Sequence, residues 1–297
     1  MAGTAVTSRA LRTLRVVLTV AALVALTVAL VRAIQDAEEV ALPGPWRLAA
    51  SAVLLAIGMA AATSAWATLL PRVGFRAVLP GFGLAQLAKY VPGSVWQGVG
   101  QVADAHRLGI PAGTATAAYL VQMVLQALAA GAVSVAALTA PGLPWWLAVP
   151  AALGPLGLLL INRGWLDALV GVLARLTRRV DPARIGLPSQ GGLLAAAGRS
   201  LLTILTIGTS FAVLLPSELG ARGFVGTAGV FMLAWLIGFL VVPLPSGLGV
   251  REAVLVVGLG ELHPVADILA AAIVARLVLV VVEGLYVGVA QLARLDR

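Results

Sequence analysis

The sequence has no cysteine and little else that commonly holds a metal or a redox group. Without cysteine there are no disulfides, no thiolate metal ligands and no cysteine nucleophile. His106 and His263 are the only histidines, which argues against a zinc site built from several histidines. We therefore expect no metal, no cofactor and no catalytic residue, and the chain is not predicted to be an enzyme.

Charged residues are scarce as well: they make up 11% of the 297 residues, whereas 61% are hydrophobic. A typical soluble domain is about 45–50% apolar and about 25% charged. The mean hydropathy is +1.03, and several apolar runs reach the roughly 20 residues that a helix needs to cross a bilayer. The composition therefore predicts an all-α fold in a polytopic integral membrane protein.

The net charge of +8 does not indicate a nucleic-acid partner, because the basic residues lie mostly between the apolar runs. Cytoplasmic loops of membrane proteins carry such an excess of Lys and Arg. Arg9, Arg12 and Arg15 precede the first apolar run, so we expect a retained first helix and a cytoplasmic N-terminus. The Ala- and Arg-rich composition is typical of GC-rich bacterial genomes, and the predicted location is the bacterial inner membrane.

The chain is predicted to form a single membrane domain, 1–297, with one half at about 14–139 and the other at about 193–292. Between the halves lies a basic loop, 162–192, which its positive charge assigns to the cytoplasm. About seven full transmembrane helices are predicted, at about 14–34, 46–70, 114–138, 145–161, 193–215, 224–242 and 265–292.

Two further segments, 77–111 and 243–260, are apolar but interrupted by proline and glycine. They occupy corresponding places in the two halves. Paired interrupted helices of this kind form the central site of many transporters. We therefore predict two broken or re-entrant helices related by a pseudo-repeat.

The first broken segment contains a potential anion site. Pro92 and Gly93 interrupt the chain, and Ser94 is placed to cap the helix that follows. The N-terminus of a helix attracts anions, and Lys89, the only lysine, is near it. The alternative is a simple kink with the lysine extended to the membrane surface.

The second broken segment combines a turn with two opposite charges. Pro245, Gly247 and Gly249 specify a turn, and Arg251 and Glu252 fall in the first turns of the next helix. A carboxylate in the first turn is favoured by the helix dipole, which accounts for the glutamate without any ligand. The alternative for the pair is an interfacial loop, but the strongly apolar flanking runs favour burial within the bundle.

The last helix carries Arg276 and Glu283, which are seven residues apart and share one helix face, about 10.5 Å apart along the axis. An arginine at the bilayer centre costs about 2.5–3.5 kcal/mol, so Arg276 is expected to face the bundle interior and a partner. One interpretation is a structural ion pair with Glu252 or Glu283. The other is a contact with a phosphate, which suits the guanidinium group.

These motifs resemble those of the lysylphosphatidylglycerol synthase transmembrane family. Segment 89–93 (KYVPG), followed by Trp96, is similar to one motif of that family, and segment 243–252 (PLPSGLGVRE) is similar to another. The last helix, with Arg276 and Glu283, is similar to the family's last helix. The resemblance extends over nearly the whole chain.

The resemblance implies a lipid-handling membrane domain. The family includes the flippase half of the bacterial multiple peptide resistance factor, which moves aminoacylated phosphatidylglycerol to the outer leaflet. It implies translocation rather than lipid synthesis, since this sequence is not expected to contain the synthase domain. Gln97 and Gln101 stand where the family often has other polar residues or arginine, which weakens the transfer of substrate identity. The predicted headgroup-binding residues are Lys89, Ser94, Arg251, Glu252, Arg276 and Glu283, and the motif residues are Pro92, Gly93, Trp96, Pro245, Gly247 and Gly249.

The predicted function is a flippase that moves an anionic, polyprenyl-phosphate-linked or aminoacylated lipid between leaflets. Membrane lipids are the expected partners, together with a glycosyltransferase or another lipid-modifying enzyme, and the sequence is compatible with an oligomer. The alternatives are an ion-coupled small-solute transporter and a membrane partner of a glycosyltransferase. An enzyme using Glu252 or Glu283 as a base is disfavoured, because no paired acid or metal cluster accompanies them.

Overall fold

The computed structural model describes residues 42–90, 96–140, 143–144, 146, 149–168, 171, 186, 188–215, 220–240 and 249–295. Within these ranges the chain is helical, with turns and no strand, which confirms the all-α prediction. The predicted first helix at 14–34 lies outside the described residues. So do five of the predicted motif and site residues, namely Pro92, Gly93, Ser94, Pro245 and Gly247.

The helices are labelled here in chain order. They are α1 (Pro45–Leu69), α2 (Phe75–Leu87), α3 (Trp96–Arg107), α4 (Ala112–Ser134), α5 (Val149–Leu159), α6 (Gln190–Ala212), α7 (Gly220–Leu240), α8 (Val250–Leu259) and α9 (Val265–Leu295). Short 3-10 helices extend α2 at Ala88–Tyr90 and α4 at Val135–Thr139.

Five of the described helices are long and apolar enough to cross a membrane: α1, α4 with its 3-10 extension, α6, α7 and α9. They match the predicted spans at 46–70, 114–138, 193–215, 224–242 and 265–292 to within a few residues. A sequence with this set of apolar helices is suited to a membrane rather than to water. The prediction of a membrane-embedded chain is therefore confirmed at this level.

The span predicted at 145–161 lies partly outside the described residues and stays a prediction. The described helix there, α5, has only 11 residues. At 1.5 Å per residue it is about 17 Å long, short of the roughly 30 Å hydrocarbon core. Residues 145, 147 and 148 lie outside the described ranges. Pro155 lies inside α5, where its missing N–H removes one backbone hydrogen bond.

The last helix connects the two predicted halves. α9 packs against α1 and α2 from the first half and against α6 and α8 from the second. One hydrophobic cluster surrounds Trp66 and Phe82, and another surrounds Phe211. Phe211 stacks on Phe231 with ring centroids 4.2 Å apart. The position of α9 lets one helix contact both broken segments.

We predict that Gly154→Ala destabilises the protein, because α5 approaches α4 very closely at this residue. An added Cβ would lie 2.2 Å from the backbone nitrogen of Ala132 and 2.4 Å from the carbonyl carbon of Gly131. Backbone atoms cannot move aside as a flexible side chain can. We expect the free energy of unfolding to fall by an amount near the upper end of the roughly 1–3 kcal/mol typical of overpacking. The measurement is the SDS fraction at the unfolding midpoint, which should be lower than in the wild type.

Gly284→Ala is the matched control, since Gly284 of α9 has open space where a Cβ would be placed. Alanine favours a helix over glycine by about 1 kcal/mol or less, so this variant is expected to unfold at the wild-type midpoint or slightly above it. An unchanged midpoint for Gly154→Ala would contradict the close packing of α4 and α5.

Candidate functional site

Two ion pairs attach the broken segments to one face of α9. Lys89, in the 3-10 helix after α2, donates through Nζ to Oε1 of Glu283. Arg276 donates through Nη2 to Oε1 of Glu252, in the first turn of α8. The two residues of α9 are seven positions apart, so both pairs lie on the same side of the helix.

Glu252 also closes the N-terminus of α8. Gly249 is the N-cap residue, and its φ of 83° lies in the left-handed region that favours glycine. Its backbone N–H donates to Oε2 of Glu252 over 2.7 Å. Both carboxylate oxygens of this glutamate are therefore used within the protein. The position of Glu252 in the first turn, which the sequence explained by the helix dipole, also lets it accept from the N-cap backbone, and Glu252 acts as a positioning residue that holds Arg276.

The two pairs share one asymmetry: each carboxylate is buried and each cation is partly open. The side chains of Glu283 and Glu252 are 2% and 8% exposed, whereas those of Lys89 and Arg276 are 29% and 39% exposed. Apart from the bond to Glu252, the guanidinium of Arg276 has further N–H donors. In both pairs a buried carboxylate therefore fixes the position of a cationic side chain that is still partly exposed.

Arg251 is next to Glu252 in sequence but points elsewhere. Its Cζ is 6.0 Å from the ring centroid of Trp235 in α7. The side chain also packs against Gly238 of α7, where an added Cβ would lie 2.8 Å from the arginine Cγ. Its Nε is buried and has no hydrogen-bond partner among the described residues. The stacking on Trp235 offsets only part of the cost of burying a cation.

The structure thus pairs four of the predicted site residues, and of the predicted site cations it leaves Arg251 without an ion pair in the described ranges. Trp96 begins α3 with 46% of its surface exposed. Of the two glutamates considered for Arg276 from the sequence, the partner is Glu252. The pairing of Lys89 with Glu283 was missed. Its signal was present, since each is an isolated charge in an apolar stretch and such charges commonly pair within membranes.

No protein-family model, no curated protein and no solved structure matches this chain. The function therefore has to be inferred from the chemistry of these side chains.

Proposed function

We propose that the chain is a lipid flippase or transporter that moves a lipid with an anionic headgroup between the leaflets of a bacterial inner membrane. The observation that carries this proposal is the guanidinium of Arg251, whose buried Nε has no hydrogen-bond partner and which forms no ion pair in the described part of the chain. Removing a cationic group from water without forming an ion pair is costly. A phosphate or other anion would supply the missing charge.

Arg276 and Lys89 support an anion as the ligand. Their carboxylate partners hold them in place, and their outer sides are exposed by 39% and 29%. Arginine binds phosphate through two parallel N–H donors, which gives a contact of defined geometry. An arriving headgroup competes with Glu252 and Glu283 for these cations. Binding would therefore loosen both broken segments from α9.

The architecture that goes with this proposal is the one expected from sequence: seven full spans, two re-entrant or broken segments, and a cytoplasmic N-terminus and basic loop. The lengths of α2, α3 and α8 support it, since these helices have 13, 12 and 10 residues. None reaches the roughly 20 residues of a full crossing. Interrupted backbone at membrane depth is tolerated where it lines a protein-enclosed site. The resemblance to the lysylphosphatidylglycerol synthase transmembrane family points the same way.

The test is lipid translocation by purified protein in proteoliposomes, with fluorescent phosphatidylglycerol as the anionic lipid. Arg251→Gln is expected to lower the rate about tenfold or more, as removal of one charge-assisted hydrogen-bonding group would. The double variant with Arg276→Gln is expected to fall to the rate of empty liposomes. Arg222→Gln is the control: it removes the same charge from an exposed position at the start of α7.

Translocation that survives the loss of both Arg251 and Arg276 would overturn the mechanism. Native mass spectrometry of the gently purified protein gives a second measurement. We expect an anionic lipid to be retained by the wild type and lost in the double variant. Bulk lipid in bulk proportions in both samples would favour a solute transporter or a non-transporting partner of a glycosyltransferase.

A further inference from the structure

The short helices α2 and α3 run antiparallel and meet along a polar seam. At one end, Gln97 of α3 donates through Nε2 to Oε1 of Gln86 in α2 over 3.1 Å. At the other end, the carboxylate of Asp104 lies so close to Gly81 that an added Cβ there would be 1.8 Å from it. We define the polar seam as Gln86, Gln97, Gln101 and Asp104.

Gln101 lies in the middle of the polar seam. It follows Gln97 by four residues and precedes Asp104 by three, so the three side chains share one face of α3. Gln101 is 2% exposed, and its Oε1 has no hydrogen-bond partner in the described part of the chain. A buried acceptor without a donor destabilises the fold. A donor from outside the described residues would satisfy this oxygen.

The chemistry of the polar seam suits a neutral group that both donates and accepts hydrogen bonds. The hydrogen bond between Gln97 and Gln86 uses the NH₂ of Gln97 and the Oε1 of Gln86. No further hydrogen bond to a described residue engages the NH₂ of Gln86 or the Oε1 of Gln97. An amide offers both donors and acceptors. The carboxylate of Asp104 repels a phosphate. Hydroxyl groups match this set of donors and acceptors.

The half-buried end of the polar seam is near the charged site. Gln86 and Gln97 are only half-buried, and Trp96, which precedes Gln97, is 46% exposed. Lys89 follows Gln86 by three residues and forms its ion pair with Glu283 there. A headgroup whose phosphate lies at the cations can therefore extend its neutral end toward the polar seam.

We propose that the polar seam binds the hydroxyl groups of the transported headgroup, which are those of a sugar or a glycerol attached to the phosphate. This inference rests on the proposed function, because it takes the anion to be the phosphate of a lipid.

The test compares the affinities of four soluble probes for the full chain. The probes are dodecyl phosphate, dodecyl phosphoglycerol, dodecyl phosphate joined to one hexose, and dodecyl phosphoglycerol with both hydroxyls methylated. A polyoxyethylene detergent is used, because a maltoside would itself offer sugar hydroxyls. The wild type is expected to bind the two hydroxylated probes about tenfold more tightly than the other two, as new hydrogen bonds to buried groups would require.

Gln101→Leu is expected to remove this discrimination and bind all four probes with similar affinity. Should that variant fail to fold, the methylated probe on the wild type makes the same comparison. Equal affinity of the wild type for all four probes would overturn the inference and leave the proposed function standing. Failure of dodecyl phosphate to bind at all would instead remove the anion site, and both proposals with it. The larger gain, from hexose or from glycerol, identifies the source of the hydroxyls.

Discussion

Lys89→Glu is expected to abolish folding in the membrane or to lower the yield of folded protein about a hundredfold or more, because like charges in contact at a desolvated site cost several kcal/mol. The substitution would place two carboxylates together at a position where Glu283 is 2% exposed. The measurement is the fraction of monodisperse protein after extraction, together with its SDS unfolding midpoint.

The exchange of the two charges is the decisive control. Lys89→Glu combined with Glu283→Lys restores an ion pair of opposite orientation between the first broken segment and α9. We expect the double variant to recover much of the folded yield that Lys89→Glu loses. If the effects of the two substitutions on stability are additive, the pair contributes no coupling energy. Other contacts would then hold this segment against α9.

Glu252→Gln is expected to destabilise the protein by about 3 kcal/mol, the lower end of the range for breaking a buried ion pair. The lower end applies because the partner, Arg276, is 39% exposed and keeps some contact with solvent or headgroups. Glutamine retains an oxygen for the N–H of Gly249, so the cap of α8 is preserved. The lost stability then comes from the missing ion pair alone. The SDS unfolding midpoint measures the change.

Two further variants test this interpretation. Glu261→Gln removes the same charge from an exposed residue just beyond α8 and is expected to leave the midpoint unchanged. Arg276→Gln added to Glu252→Gln removes the uncompensated cation and is expected to recover part of the loss. A midpoint for Glu252→Gln equal to that of Glu261→Gln would show that the pair contributes nothing to stability.

Hydropathy was sufficient to predict the long helices. α1, α4, α6, α7 and α9 lie within a few residues of their predicted spans, because a bilayer imposes both length and apolar composition on any helix that crosses it. The span predicted at 145–161 stays a prediction, because α5 accounts for 11 of its residues and residues 145, 147 and 148 lie outside the described ranges. Composition measures how apolar a segment is, whereas helix length also depends on backbone hydrogen bonding.

The charged site was predictable in its residues but not in its pairs. Isolated charges in apolar runs indicated Lys89, Arg276 and Glu283, because such residues must find partners inside the bundle. Helix geometry placed Arg276 and Glu283 on one face but could not choose between Glu252 and Glu283 as the partner of the arginine. That choice depends on how α8 and the 3-10 helix after α2 pack on α9, which is a tertiary property. Lys89 and Glu283, 194 residues apart, meet only through that packing.

The shared attachment to α9 has a mechanical consequence. Glu283 and Arg276 lie on one face of a single continuous helix, and Tyr286 of the same helix shares a hydrogen bond of 2.7 Å with Thr63 of α1. A rotation of α9 about its own axis would pull on both ion pairs together, since a rigid helix turns as one body. The two broken segments would then release in a concerted step rather than one after the other. The protein would pass between two discrete arrangements, with the torsion of one helix as the coordinate that separates them.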